Sequence, residues 1–291
     1  MSHHSKASAL RSLLKQKKLI MAPGAYDGIT ARLVEEAGFP AIYITGAGVA
    51  STRLGMPDIG LLTMPEMLDA AKNIAACTTI PAICDIDTGY GNALNLMRSI
   101  REFKNTGVAA VQIEDQITPK RCGHTEGKQL ISKEEMVNKL KAAVLERGDN
   151  DLVLIARTDA IQVNGFEDAL DRAKAFAAAG ADVLFVEAPR TEEQMQRVTK
   201  ELAGIPLLIN LVERGGETPC LPAKKLEEMG FSIAIYPGTT WFTAIKAIRD
   251  NLKVLKEEGS TDSCAHRMSG FMEAFDLVDR PKYVALEKTY V

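Results

Sequence analysis

Short apolar runs rich in β-branched residues recur along the chain, separated by alanine-rich stretches whose apolar positions repeat at helical spacing. The runs predict eight strands: Leu19–Ala22, Ala41–Thr45, Ala82–Asp87, Ala110–Glu114, Leu152–Thr158, Val183–Ala188, Leu207–Val212 and Ser232–Pro237. Several are apolar at nearly every position, the pattern of parallel strands covered on both faces. Helices are predicted over Met64–Cys77, Asn95–Thr106, Lys133–Glu146, Glu167–Ala179 and Leu221–Met229, and Ser132 with Glu135 has the spacing of a capping box. Gly38, Gly107, Gly180 and Gly230 each follow a helical stretch and precede a strand, a weak internal echo that suits a left-handed helix C-cap.

Eight βα units within about 240 residues predict a (β/α)8 TIM-type barrel rather than a doubly wound sheet. No Gly-rich dinucleotide fingerprint follows the first strand. No linker divides the chain, so residues 1–291 are expected to form one barrel domain, with 239–291 as a C-terminal helical extension. In that extension Thr239–Glu258 reads as a helix, Gly259–Ser263 breaks it, and Ala265–Val278 reads as another. A barrel needs one closing helix, so the surplus is expected either to pack on a neighbouring subunit or to cap the barrel bottom.

Composition narrows the function. The 291 residues are 46% hydrophobic and 25% charged, which excludes a disordered chain. A net charge of −3 without a basic face argues against nucleic acid as a partner, and the run at Lys15, Lys17 and Lys18 reads as a solvated helix end. No stretch approaches the roughly 18 apolar residues of a membrane span, and Met1–Ser8 lacks a signal-peptide core. His3 and His4 are too few for a tag and are assigned to a frayed terminus. Five cysteines with no close pair read as free thiols in a reducing cytoplasm, without a structural zinc site.

Polar residues collect where barrel chemistry is built, at the carboxyl ends of the strands. They are Tyr43, Thr45 and Gly46; Asp85 and Asp87; Glu114 and Asp115; Arg157 and Asp159; Glu187; Asn210 and Glu213. Asp85 and Asp87, at alternate strand positions, are expected on one face, with Glu114 beside them. Three such carboxylates suit Mg²⁺ or Mn²⁺; alternatively, either aspartate caps the following turn. Lys120-Arg-Cys122-Gly123-His124-Thr-Glu-Gly127-Lys128 sets a thiol among cations between two glycines. Nearby positive charge is expected to lower the thiol's pKa, and the glycines suit a mobile lid; a solvated basic loop is the other reading. Arg157 is placed to grip a substrate carboxylate, or to pair with Glu187 or Asp159. Cys77 and Cys84 read as structural, Cys220 as ambiguous, and His266 as a helix-start residue.

Taken together, Tyr43-Ile-Thr-Gly46, Leu54-Gly-Met-Pro-Asp58, Asp85-Ile-Asp87-Thr-Gly89, Ile113-Glu-Asp115, Lys120-Arg-Cys-Gly-His124, Ala156-Arg-Thr-Asp159 and Asn210 resemble the isocitrate lyase and phosphoenolpyruvate mutase superfamily. The resemblance runs from Ala22 to the C-terminal helices. It implies an α/β barrel whose eighth helix is exchanged between subunits, giving a homotetramer built as a dimer of helix-swapped dimers. It implies Mg²⁺ at Asp58, Asp85, Asp87 and Glu114, some through water. Within the superfamily, the cysteine loop implies a carbon–carbon lyase with Cys122 as general acid.

The implied substrate is a small 2-hydroxy di- or tricarboxylate, cleaved in retro-aldol fashion to a 2-oxo acid such as pyruvate and a carboxylate such as propionate. The resemblance places Tyr43, Thr45, Gly46, Ala47, Asp85, Lys120, Cys122, Gly123, His124, Arg157, Glu187, Asn210 and Pro237 around it, with Tyr43 or a metal-bound water as the base. Thr125-Glu-Gly-Lys128 looks like the 2,3-dimethylmalate lyase branch rather than the methylisocitrate lyases. A methylisocitrate lyase, an oxaloacetate hydrolase, a carboxyphosphonoenolpyruvate phosphonomutase-like enzyme and a non-catalytic metabolite-binding barrel are the alternatives. Arg214, on a lengthened loop after the seventh strand, and Trp241-Phe242 are expected to alter the pocket.

Overall fold

In the computed structural model, which describes residues 5–290, the eight apolar runs form eight parallel strands closed into a barrel in chain order. They are β1 (Ile20–Ala25), β2 (Ile42–Ile44), β3 (Ala82–Asp85), β4 (Ala110–Glu114), β5 (Val153–Thr158), β6 (Val183–Val186), β7 (Leu207–Asn210) and β8 (Ile233–Tyr236). His3 and His4 lie outside the described residues. Several strands end two residues earlier than their apolar run, because the last residues leave the ladder to build the site loops.

The helices are α1 (Lys6–Lys15), α2 (Gly28–Glu36), α3 (Gly46–Val49), α4 (Met64–Cys77), α5 (Ala93–Phe103), α6 (Lys133–Arg147), α7 (Ala160–Val163), α8 (Phe166–Ala178), α9 (Glu192–Glu201), α10 (Ala223–Met229), α11 (Thr239–Glu258), α12 (Phe271–Leu277) and α13 (Arg280–Tyr290). Gly38, Gly107, Gly180 and Gly230 have φ of 82°, 88°, 101° and 102°, the left-handed conformation that ends a helix and turns the chain back into the next strand. Of the capping box at α6 only half forms: Ser132 accepts the Glu135 N–H at 3.0 Å, with no return bond from the Glu135 side chain.

Two apolar layers hold the barrel. Outward-facing strand residues such as Ile42, Cys84 and Leu154 pack against helix residues such as Ile74, Ile100 and Phe176. Inside, Ile20, Ile83, Val153, Phe185 and Ile233 fill the lumen, and Leu10 of α1 joins them fully buried. Each such side chain contributes about 1.5–3 kcal/mol. The barrel bottom is therefore closed by the N-terminal helix, not by surplus from the tail.

The tail departs from expectation beyond α11. Ala265–Val278 is not one helix but a 3₁₀ turn over Asp262–Arg267, a break, and α12, with α13 beyond it. Gly270 stands extended at the start of α12, and glycine inside a helix would cost about 1 kcal/mol, so the helix begins there. His266 lies exposed in the 3₁₀ turn and does not line the cavity at the strand ends. α11 has the expected bounds, yet none of its 20 residues is buried. Ile248 and Leu252 are 58% and 59% exposed, and Phe271, Met272 and Tyr283 are open as well. Among the described residues no helix is long and apolar enough to cross a membrane.

Candidate active site

The carboxyl ends of the strands bring the acids together, though not quite as alternation predicts. β3 stops at Asp85; Asp87 adopts φ of 49° and belongs to a turn. Its N–H donates to Asp85 Oδ1 at 3.1 Å, and its carbonyl accepts the Glu114 N–H at 2.9 Å. The two carboxylates thus converge through a pinned turn rather than through strand periodicity. A Cβ placed on Gly46 would lie 3.0 Å from Asp85 Oδ2 and 3.5 Å from Asp87 Oδ1, so this glycine leaves open the cradle that both acids face.

That cradle fits a hard divalent ion. Asp87 Oδ1 and both Glu114 oxygens are buried without a hydrogen-bond partner. Burial pushes Asp85 up, Asp87 up to about 6, and Glu114 well up from the usual carboxylate range, the mark of acids that need a cation. Lys120 is the cation that stands there. Its buried ammonium bonds Asp58 and lies 3.0 Å from Asp87 Oδ1, outside hydrogen-bonding angles. Although burial opposes it, these acids raise the Lys120 pKa well above normal. Among the described residues no three acid, histidine or cysteine groups form a ready-made cage. An ion that retains several waters suits that looser arrangement.

Beside the acids lies an ion-paired cluster. Glu114 and Arg157 are register partners on β4 and β5, 3.4 Å apart. The Arg157 guanidinium is gripped side-on by Asp159, with Nε to Oδ2 at 2.8 Å and NH2 to Oδ1 at 3.0 Å, and lies 3.2 Å from Glu187. Both pairings weighed from the sequence occur together, so the bidentate partner of Arg157 is Asp159 and only its outer edge faces a ligand. Glu187 also accepts from Asn210 Nδ2 at 3.1 Å. Burial alone would raise its pKa, but Arg157 and His124 outweigh this and hold it well below the usual range.

The loop after β4 folds over this cluster. His124 Nδ1 accepts the Glu217 N–H at 3.0 Å, which leaves the ring proton on Nε2, 3.4 Å from Glu187 Oε1. Gly123 is not a hinge: a Cβ there would reach 2.9 Å from Glu187 Cγ and Oε2, and closer still to Arg157 NH2. Gly127, with φ of 83° and open space around it, is the residue that needs glycine for its backbone. Cys122 is half-buried at the cavity. Burial pushes its thiol up, and the His124 N–H, Lys120 and Arg157 reverse this only in part. The expected lowering is therefore corrected: Cys122 is a thiol that keeps its proton.

The enclosed cavity measures about 110 Å³. Tyr43, Thr45, Ala47, Asp58, Asp85, Lys120, Cys122, Gly123, His124, Arg157, Glu187, Asn210 and Pro237 line it, with Val212, Gly238, Trp241 and Phe242 closing one side. Gly46, Asp87 and Glu114 stand behind this wall. Tyr43 donates to Gln112 Oε1 at 2.7 Å, and burial, with Asp85 beside it, pushes its pKa well up, so it is a donor and not a base. Gln112, which also donates to Asp85 at 3.2 Å, escapes a reading of the sequence because it sits mid-strand in an apolar run. Lys128 gained no role from sequence alone either, and Asp159 only that of a possible partner for Arg157; the side chains of both are fully buried. Arg214 lines a neighbouring surface cavity with Lys246 and Arg267, and Glu213 caps the start of α11 through the Gly238 N–H at 3.0 Å. Neither joins the site. Cys84 and Cys264 are buried, Cys77 half-buried and Cys220 exposed.

The model of the family described as phosphoenolpyruvate phosphomutase matches residues 10–256. The chain is 44% identical over 284 residues to 2,3-dimethylmalate lyase of Eubacterium barkeri, covering 98% of each protein. The solved structure of oxaloacetate acetylhydrolase with the inhibitor 3,3-difluorooxalacetate superposes with a TM-score of 0.93 at 36% identity, over 98% of this chain and 97% of that one. Phosphonopyruvate hydrolase solved with oxalate and Mg²⁺ superposes with a TM-score of 0.88 at 29% identity, over 99% of each chain.

Proposed function

Because the chain belongs to the phosphoenolpyruvate mutase and isocitrate lyase superfamily, we propose that it cleaves a 2-hydroxy dicarboxylate of the alkylated-malate type into pyruvate and a carboxylate such as propionate. It is a carbon–carbon lyase, similar over nearly its whole length to 2,3-dimethylmalate lyase. The observation that carries the reading is that Cys122, whose thiol burial pushes up, lines one small cavity together with Arg157, Glu187 and Asn210.

Asp58, Asp85, Asp87 and Glu114, some of them through water, would hold a divalent ion of the Mg²⁺ class, whose charge would steady the carboxylate and hydroxyl oxygens of the part that leaves as pyruvate. Transfer of the hydroxyl proton to a water molecule at the site turns that carbon into a carbonyl as the adjacent C–C bond breaks. The electron pair then spreads into the other product's carboxylate. Arg157, His124 Nε2–H and Asn210 supply fixed positive charge and donors for that species, the kind of preorganisation worth about 2.7–4 kcal/mol per donor. The Cys122 thiol gives its proton to the carbanionic carbon. Tyr43, tied to Gln112, keeps its proton and orients rather than abstracts. Val212, Trp241 and Phe242 offer apolar surface to alkyl substituents.

The uncovered apolar edge of α11 supports exchange of this helix with a second copy, and a tetramer formed from two such pairs. Similarity to oxaloacetate acetylhydrolase favours oxaloacetate as the second substrate to try. The test is 2-oxo acid release, with and without Mg²⁺, from 2,3-dimethylmalate, 2-methylmalate and 2-methylisocitrate. Isocitrate is followed by glyoxylate and oxaloacetate by its absorbance. Release from an alkylmalate and little from the tricarboxylates is expected; no turnover of any of them would overturn the reading.

A further inference from the structure

We propose that Lys128 is a positioning residue: its buried ammonium latches the Lys120–Lys128 loop shut and ties that closure to the Arg157 guanidinium. Its kinetic consequence rests on the lyase reading above; its structural consequence does not. The Lys128 side chain has no solvent exposure. Its Nζ bonds the Gly123 carbonyl at the tip of its own loop and Asp159 Oδ1 at 3.2 Å. The same Oδ1 accepts from Arg157 NH2 at 3.0 Å, so the loop's cation and the site's guanidinium share one carboxylate oxygen.

A buried ammonium is costly without partners; Asp159 ties Lys128 to the end of β5, and the Gly123 bond exists only while that tip lies on the barrel. The root of the loop is already fixed. Asp115 Oδ1 accepts the Asp159 N–H at 3.0 Å, and Arg172 NH1 reaches both Asp115 Oδ2 at 3.2 Å and the Ile131 carbonyl at 3.0 Å. Lys128 joins this fixed root to the tip that carries Cys122 and His124, and the positive φ at Gly127 turns it underneath. It does not line the cavity, so it acts through others.

The experiment alkylates wild type and Lys128→Met with iodoacetamide and follows each cysteine by peptide mass spectrometry. Exposed Cys220 is the internal clock, and buried Cys84 reports unfolding. Losing a charge-assisted bond shifts the open-to-closed ratio about tenfold, so Cys122 labelling relative to Cys220 should rise about tenfold while Cys84 stays silent. On active enzyme, kcat should fall by more than KM rises. Cys122 labelling within twofold of wild type overturns the latch. If Cys84 labels in Lys128→Met, Lys128→Gln decides instead: a rise above threefold sustains the latch and less overturns it. Labelling needs no substrate, so a latch that responds in a protein without lyase activity refutes only the lyase reading.

Discussion

Gly123→Ala adds one methyl group where the loop meets the ion-paired cluster. The new carbon would lie 2.9 Å from Glu187 Cγ and Oε2 and closer still to Arg157 NH2, against an ordinary carbon contact of about 3.5–4 Å. The end of an arginine can usually swing aside, but Asp159 holds this one through two hydrogen bonds, and Glu114 and Glu187 flank it. Relief must therefore come from the loop, which lifts by on the order of an ångström, carrying Cys122 and His124 with it. Displacement of that size costs about 10²-fold in rate, or about 2.7 kcal/mol of barrier. Stability should barely change, because the loop can relax outward without opening the apolar layers. Steady-state 2-oxo acid release and a thermal melt on the same sample separate these outcomes. A variant that keeps kcat within threefold of wild type would refute the close-approach account of Gly123.

Cys122→Ser should lower kcat by about 10²-fold or more, within the range for a lost general acid, while oxalate binding by calorimetry changes little; equal turnover removes the proton-donor role. Since burial raises the thiol above 9.0, its protonated form persists as pH rises, so the alkaline limb of kcat should fall above pH 9 and not below pH 8. EDTA should abolish turnover and Mg²⁺ restore it, while circular dichroism stays constant; activity indifferent to both sinks the carboxylate cradle as an ion site. Ile248→Glu with Leu252→Glu should reduce the assembly to smaller species by light scattering, and an unchanged mass would dismiss the α11 edge as a contact surface.

The barrel was legible because its signal is repeated: eight apolar runs, and four glycines that each end a helix with positive φ. Strand ends pointed to the site for the same reason, since a barrel collects them on one face. What sequence did not reveal depends on neighbours far along the chain. Gln112 looks like an interruption of β4 until Tyr43 and Asp85 face it. Asp87 has strand spacing from Asp85, yet a turn with positive φ places it. The cations around Cys122 argued for a reactive thiolate, but burial outweighs charge there. Arg157 read from sequence either as a clamp or as the partner of Glu187 or Asp159; that Asp159 grips it side-on is settled only where the chain turns out of β5.

The first turn of α11 carries Trp241 and Phe242 against the cavity, and Glu213 fastens that end to the barrel. The whole helix is about 30 Å end to end, and its later turns carry the open edge at Ile245, Ile248, Leu252 and Leu255. In the proposed assembly one rigid rod thus serves as pocket wall at one end and as contact surface along its length. Turnover per subunit should then depend on protein concentration: on dilution below the point where copies separate, the rod loses its outer support and the wall at Trp241 loosens. Specific activity measured across a dilution series would read out the state of the far end of the helix from chemistry at the near end.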